Sequence, residues 1–148
     1  MKPVKLSHTI YQGATFRGGN AYFTVPYKVR EENGIIVNDE TGIEVPLADY
    51  VPRDFTGCEA RMQLRPEVGS AIVLAEFTTA NGLIEFDGNW VNFPLSDEYT
   101  AALKYGENPN KGEWIKAIGH LEIVNPDGTV DRLAEITWRL NEEGTKTP

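Results

Sequence analysis

The sequence predicts an all-β domain: an antiparallel β-sandwich of the immunoglobulin-like type, or a small-barrel variant of it, with one short helix. Seven or eight short segments alternate apolar and polar residues with the period of two that strands require. Turn-forming Asn, Asp, Gly and Pro residues separate these segments at short intervals. No recurrent strand–helix–strand pattern is present to build a parallel sheet, so the antiparallel arrangement is favoured.

Length and composition place the chain in one domain spanning residues 1–148. Apolar residues make up 41% and charged residues 24% of the 148, which is ordinary for a folded soluble protein. The net charge of −8 disfavours binding to nucleic acid or to anionic membranes. No apolar run approaches the roughly 18 residues that a membrane-spanning helix needs. We therefore expect a cytosolic product with no nucleic-acid partner and no membrane association.

The first half of the chain predicts four strands and an insertion. Alternation of apolar and polar residues predicts strands at 4–10, 21–29 and 58–64, the last with one buried and one solvated face. The almost continuously apolar run 71–77 is compatible with a strand covered on both faces or with a short buried helix, and its length and Ile-Val pair favour the strand. The segment from about 30 to 55 contains acidic turns and only brief β-like triplets, and we interpret it as an elaborated β-ribbon loop.

The second half predicts two β-hairpins. Residues 84–95 form one, because 87–89 are Asp-Gly-Asn, residues that tolerate a turn with positive φ. The other joins strands at 115–123 and 134–140 through the turn at 125–128.

Between these hairpins the sequence predicts the single helix. Ser96 is the expected N-cap, and Asp97 and Glu98 follow where their charges favour the positive end of the helix dipole. The helix is expected to end before Gly106. Beyond the last strand, the polar tail 141–148 is expected to fray.

Two pairs of carboxylates invite comparison with the acid and base of glycosidases: Glu85 with Asp87, and Asp127 with Asp131. Asp87 and Asp127 lie where turns favour Asp, however, and Glu85 lies on the solvated side of a strand. The sequence therefore favours structural roles for these residues.

Nucleophilic and metal-dependent chemistry are disfavoured as well. Cys58, the single cysteine, begins an alternating face and is expected to be a buried structural thiol, and it excludes an intramolecular disulfide or a cysteine-rich zinc site. His8 and His120 lack a second ligand at metal-binding spacing. Asp39 and Glu40 resemble a calcium loop only in their acidity. We expect no enzymatic activity, no catalytic residues, no metal and no cofactor.

The three tryptophans suggest different environments. Trp138 shares a face with apolar neighbours and is expected in the core. Trp114 is opposite the apolar face of 115–123, so we expect it to be exposed, either to a protein partner or to a sugar. A packed aromatic is the alternative. Exposed coplanar rings around Trp90 or Trp114 would indicate a carbohydrate-binding module.

Four segments occur in an order and spacing that resemble a known family. They are Tyr11-Gln-Gly-Ala-Thr-Phe16, Asp54-Phe-Thr-Gly-Cys-Glu-Ala-Arg-Met-Gln-Leu-Arg-Pro66, Leu95-Ser-Asp-Glu-Tyr-Thr-Ala-Ala-Leu103 and His120-Leu-Glu-Ile-Val-Asn-Pro-Asp-Gly-Thr-Val-Asp-Arg-Leu-Ala-Glu-Ile136. Over residues 6–140 the chain resembles small structural proteins of tailed-bacteriophage virions. It is similar to the β-sandwich domain at the N-terminus of phage baseplate upper proteins, although its 30–55 insertion is longer than the family pattern.

The resemblance implies a non-enzymatic structural or adaptor protein of the tail, baseplate or neck. It implies a virion location after assembly in the host cytoplasm, contacts with other virion proteins, and a homo-oligomer or symmetric multi-copy assembly. Capsid decoration and carbohydrate binding are the alternatives. We expect the acidic stretch 31–50 to contact a neighbouring subunit, although a merely solvated loop would have the same composition. The candidate contact residues are Trp114, Asp39, Glu40 and Tyr50.

Overall fold

The computed structural model describes residues 3–142, and strands make up 49% of it against 8% helix. The strands are β1 (Val4–Tyr11), β2 (Gly19–Ala21), β3 (Phe23–Thr24), β4 (Val29–Glu32), β5 (Ile35–Asn38), β6 (Val51–Pro52), β7 (Glu59–Arg65), β8 (Ala75–Thr78), β9 (Glu85–Asp87), β10 (Trp90–Asn92), β11 (Lys104–Tyr105), β12 (Glu113–Trp114), β13 (Lys116–Val124) and β14 (Val130–Asn141). The α-helix, α1, spans Asp97–Ala101, and single 3₁₀ turns span Leu47–Asp49 and Pro109–Lys111.

The largest sheet has five strands in the order β1-β14-β13-β7-β8. Strand β1 runs parallel to β14, and the other neighbouring pairs are antiparallel. Along β7 the side chains alternate as expected: Ala60, Met62 and Leu64 are buried, and the residues between them face solvent. The sheet therefore has one apolar face and one polar face.

A second layer covers the apolar face. It contains the three-stranded sheet β2-β10-β9 and the segment that follows β10. Val91 of β10 and Phe93 and Leu95 of the following segment belong to the same buried cluster as the apolar residues of the large sheet. Trp138 lies in this cluster, with its ring 5.1 Å from that of Phe93 and 5.4 Å from that of Phe77. No sheet in residues 3–142 closes on itself. The predicted class, a mostly antiparallel two-layered β-fold with one short helix, is confirmed.

The helix and the hairpins follow the sequence closely. Ser96 caps α1, since its hydroxyl accepts a hydrogen bond from the Tyr99 N–H at 3.1 Å. The buried Thr100 donates its hydroxyl to the Ala14 carbonyl at 2.8 Å, which fastens the helix to the loop after β1. Both predicted hairpins are present, the longer one with a bulge after Leu121. Residues 143–148 of the predicted fraying tail lie outside the described residues.

The strand predicted at 21–29 is wrong as a single element. The chain changes partners within it, since β2 pairs with β10 but β3 pairs with β6. Pro26, which has no N–H to contribute to a ladder, lies between β3 and β4. A period of two shows where a chain is extended but not which strand it pairs with.

The strand predicted at 71–77 is also shorter than expected. It begins only at Ala75, because the chain turns at Val68 and Gly69 and residues 71–74 follow that turn without forming a strand. The Arg65 guanidinium fixes that turn by donating to the Ser70 carbonyl at 2.7 Å. Phe77 is buried while Glu76 is exposed, so β8 has one buried face rather than two.

The 30–55 insertion is a β-ribbon, as predicted. Strands β4 and β5 form a hairpin, and residues 43–45 add along the other side of β5 through hydrogen bonds from the Asn38 and Val45 N–H groups. We call residues 29–52 the ribbon. Its buried Val37 and Val45 are not members of the main core cluster. Val37 lies opposite Glu44 and Val45 opposite Ile36, so the two buried valines project from opposite faces of the ribbon.

Candidate protein-interaction surface

The ribbon presents large apolar side chains to solvent. Leu47 is 90% exposed and Ile43 67% exposed, and Ile35 and Val51 are also open. Single exposed apolar residues are normal on any surface, but a group of them on one projecting element is typical of a contact site.

The ribbon is also strongly acidic. Residues 31–52 contain six Asp or Glu and no Lys or Arg. Two of the acids are paired at its base, where Asp39 lies 3.6 Å from Lys28 and Arg30 lies 3.4 Å from Glu32. Other acidic residues, Glu31, Glu40 and Glu44, have no ion-pair partner within residues 3–142.

The predicted ribbon contacts have distinct environments. Asp39 lies at the end of β5 and forms an ion pair with Arg30 at 3.6 Å as well as with Lys28, so its charge is already engaged. Glu40 is exposed in the turn that follows. Tyr50 is half-buried and lines a groove under the ribbon. Of these three residues, Glu40 has the most available charge.

The predicted exposure of Trp114 is wrong, since its side chain is only 3% exposed and belongs to the core cluster. The prediction extended the alternation of β13 backwards through Ile115. In the structure Trp114 belongs to β12, which pairs with β11, and buried positions fall at both Trp114 and Ala117, three residues apart. The alternation slips by one residue at Ile115, so Trp114 is not available at the surface of this fold.

Under the ribbon, a groove of about 880 Å³ separates it from the large sheet. Phe23 and Tyr50 line one side, and Val4 and Val130 line the other. The ribbon side is braced by the Tyr27 hydroxyl, which donates to the Asp49 carboxylate at 2.6 Å. That hydrogen bond to the carboxylate raises the pKa of Tyr27 to about 12.

The polar face of the large sheet bears a second groove, of about 660 Å³, whose charges satisfy one another. Glu122 lies 3.1 Å from Arg61 and 3.6 Å from Arg132, and His120 lies 3.1 Å from Glu135. Within residues 3–142 no group of three or more His, Cys, Asp or Glu side chains is arranged to hold a metal ion.

The suggested pair of Asp127 and Asp131 has structural contacts. Asp127 accepts hydrogen bonds from the N–H and hydroxyl of Thr129 at 2.9 and 2.6 Å, which lower the pKa of its carboxyl group. Asp131 accepts from the Asn125 amide at 3.0 Å and from Arg53 at 2.7 Å, and these contacts lower its pKa also. The turn interpretation of Asp127 is confirmed.

Trp90 is the one tryptophan that is substantially exposed, at 47%. None of the ring–ring contacts within residues 3–142 involves it. Since Trp114 is buried, it cannot supply the second ring of a coplanar sugar platform. Cys58 is half-buried, less than expected, with its thiol 3.6 Å from the Asn125 amide oxygen.

Comparisons with known proteins add no relatives: no protein-family model matches the chain, and no curated protein matches its sequence. Among the residues described, no helix is long and apolar enough to cross a bilayer.

A histidine enclosed by aromatic rings was not predicted. The His8 ring lies 5.0 Å from Trp138, 5.5 Å from Phe16 and 6.1 Å from Phe93 between ring centroids. Burial lowers the pKa of His8 below its ordinary value of 6.5, and the neighbouring Asn20 side chain opposes this only in part. The partial burial of His8 in β1 was visible as alternation, but its neighbours come from three distant segments.

This environment predicts a pH-dependent stability. The unfolded chain binds a proton at His8 as the pH falls below 6.5, whereas the folded chain resists protonation, so the melting temperature should fall by a few degrees between pH 7.5 and 5. Replacing His8→Phe should remove that decrease in a series of thermal melts. The lowered pKa values of Asp54 and Asp127 act only below about pH 3.8, outside this window. An unchanged pH profile in the variant would contradict the assignment.

Proposed function

We propose that the chain is a non-enzymatic structural or adaptor protein of a tailed-bacteriophage virion, a tail, baseplate or neck component present in multiple copies. It works through contacts with other virion proteins, and it reaches the particle during assembly in the host cytoplasm. The observation that carries the proposal is the ribbon. It projects from a complete core and exposes apolar and acidic side chains together.

The energetics of the ribbon support a contact role. Leu47 and Ile43 contribute nothing to the main core where they lie, and covering apolar side chains of this size is worth about 1.5–3 kcal/mol each when burial is complete. Rigid sandwiches with projecting loops suit repeated docking in a symmetric particle, because each copy presents the same surface. The resemblance of the four sequence segments to proteins of tailed-phage virions supports the virion as the setting.

The test is the protein content of purified virions from cells that express the chain from its natural locus. We expect quantitative mass spectrometry to find the chain in particles banded on a density gradient, at a constant ratio to the major tail protein. Antibody labelling in electron micrographs should decorate the tail, baseplate or neck. Labelling over the capsid would instead identify a decoration protein.

The matched control is the free fraction at the top of the same gradient. If the chain is abundant there and absent from the particles, the proposed function is wrong. Glycan binding by the isolated chain that disappears in Trp90→Ala, without any virion association, would support the carbohydrate-binding alternative.

A further inference from the structure

The two edge strands of the large sheet, β8 and β1, differ in whether their outward backbone groups have hydrogen-bond partners. At the β8 edge, the Asn81 side chain takes the place of a neighbouring strand: its carbonyl oxygen accepts from the Thr78 N–H and its amide donates to the Glu76 carbonyl, both at 3.0 Å. The Ile84 N–H donates to the Thr78 carbonyl at 3.1 Å. These contacts occupy the Glu76 carbonyl and both outward groups of Thr78, so they block an added strand over most of this edge.

The β1 edge is open. The Gln12 N–H donates to the Asn141 carbonyl, so the backbone groups of residue 12 point toward β14. Because successive residues of a strand direct their backbone N–H and C=O groups to opposite sides, the groups of even-numbered β1 residues point toward β14 and those of odd-numbered residues point outward. The outward groups of Lys5, Ser7 and Thr9 have no hydrogen-bond partner within residues 3–142. The strand is eight residues long and has neither a proline nor a bulge, two of the devices that block an edge, and its one charged residue is Lys5.

Charge is segregated between this edge and the ribbon. Residues 1–30 contain five Lys or Arg and no Asp or Glu, the reverse of residues 31–52. Lys28 and Arg30 are paired at the base of the ribbon, but Lys5 and Arg17 have no ion-pair partner in the described part of the chain. Within residues 3–52 the cations without an ion pair therefore lie in β1 and in the loop after it, and anions without one, including Glu31, lie on the ribbon.

We propose that the open edge of β1 accepts the ribbon of a second copy of this chain, head to tail, with β4 as the added strand. Strand β4 is the free edge of the ribbon, because β5 lies between it and residues 43–45. The proposal rests on the proposed function, since it names the contact through which a multi-copy subunit repeats.

The distribution of charge favours pairing of β1 with the ribbon of a second copy over symmetric pairing of β1 with the β1 of a second copy. Pairing β1 with the β1 of another copy would bring two sets of Lys5 and Arg17 together, which is unfavourable. Pairing β1 with the ribbon opposes these cations with free carboxylates such as Glu31. Because the two surfaces differ, the contact is heterologous and generates a ring if the rotation closes, or a filament if it does not.

The first test uses the backbone of the edge. In Ser7→Pro the outward N–H is lost while the β1–β14 ladder keeps its bonds, and proline is tolerated at such edge positions. Ser7→Ala is the matched control, because it retains the N–H. By light scattering coupled to size exclusion at low salt, we expect wild type and Ser7→Ala to form oligomers. We expect Ser7→Pro to associate about tenfold more weakly or not at all, with an unchanged circular dichroism spectrum.

The second test uses charge and does not depend on the proline variant folding. Lys5→Glu with Arg17→Glu should weaken self-association about tenfold, and so should Glu31→Lys with Glu40→Lys. Combining all four substitutions in one chain should restore it, whereas a symmetric β1–β1 contact would not respond to Glu31→Lys with Glu40→Lys. High salt should reduce the wild-type mass.

A wild-type chain that stays monomeric up to millimolar concentration would overturn the head-to-tail contact, as would a four-substitution chain that fails to recover. Neither result affects virion incorporation, which the gradient experiment reports separately. Conversely, oligomers formed by a chain that is absent from virions would refute the proposed function and leave this contact standing.

Discussion

Truncation of Trp138 to alanine is expected to lower the free energy of unfolding by about 3–5 kcal/mol, the usual cost of removing a large aromatic side chain from a core. Its side chain is fully buried, and its ring contacts those of Phe77 and Phe93 from the two layers. The indole N–H also points to the Met62 sulfur at 3.4 Å. The cavity left behind would lie between the layers, where the large sheet cannot collapse onto the smaller one without moving both.

Urea denaturation followed by circular dichroism measures this loss, and Trp90→Ala is the matched control. Trp90 is about half exposed and lies outside the core cluster, so its truncation should cost less than about 1 kcal/mol. If Trp138→Ala is unfolded in water, Trp138→Phe should give a smaller but measurable loss. A cost for Trp138→Ala no larger than that for Trp90→Ala would contradict the placement of Trp138 at the centre of the sandwich.

Elements in which local preference and tertiary pairing agree could be predicted from the sequence. Strand β7 alternates cleanly because one of its faces lies on the core and the other on solvent. The hairpin of β13 and β14 joins two alternating runs through a strong turn. Helix α1 begins at a serine whose hydroxyl caps it. In each case the information lies within a few residues.

The errors occur where distant partners decide the outcome. Residues 21–29 are extended throughout much of their length, but the exchange of β10 for β6 as a partner depends on residues far along the chain. Trp114 is buried because a two-residue pairing with β11 shifts the alternation at Ile115. Neither event leaves a periodic signal in the sequence.

Some features of the candidate interaction surface could likewise be predicted from the sequence, and others could not. The acidic composition of the ribbon and its turns could be predicted from the sequence, and Glu40 is exposed there. The openness of the β1 edge could not, because it depends on the contrast with Asn81 at the far edge of the same sheet. The aromatic surroundings of His8 likewise depend on segments brought together only by folding.

Removal of residues 29–45, which include β4 and β5 of the ribbon, is expected to abolish self-association while leaving the core folded. Replacing residues 29–45 by a short Gly/Ser spacer deletes Val37 and Val45, which pack outside the main cluster, and keeps the pairing of β3 with β6 below the ribbon. A flexible spacer of similar reach changes the closure entropy by less than about 1 kcal/mol. The melting temperature should therefore shift by no more than about 4 °C.

Light scattering on this variant should give the monomer mass under conditions in which wild type is oligomeric, because β4 and the free carboxylates of the ribbon are gone while the β1 edge remains. A 1:1 mixture with wild type sharpens the test. The shortened chain still presents an open β1, so it can accept the ribbon of a wild-type copy but offers none to the next, and it should terminate head-to-tail growth. A falling mean mass as the shortened chain is added follows from a heterologous contact, whereas unchanged wild-type oligomers would place self-association elsewhere on the molecule.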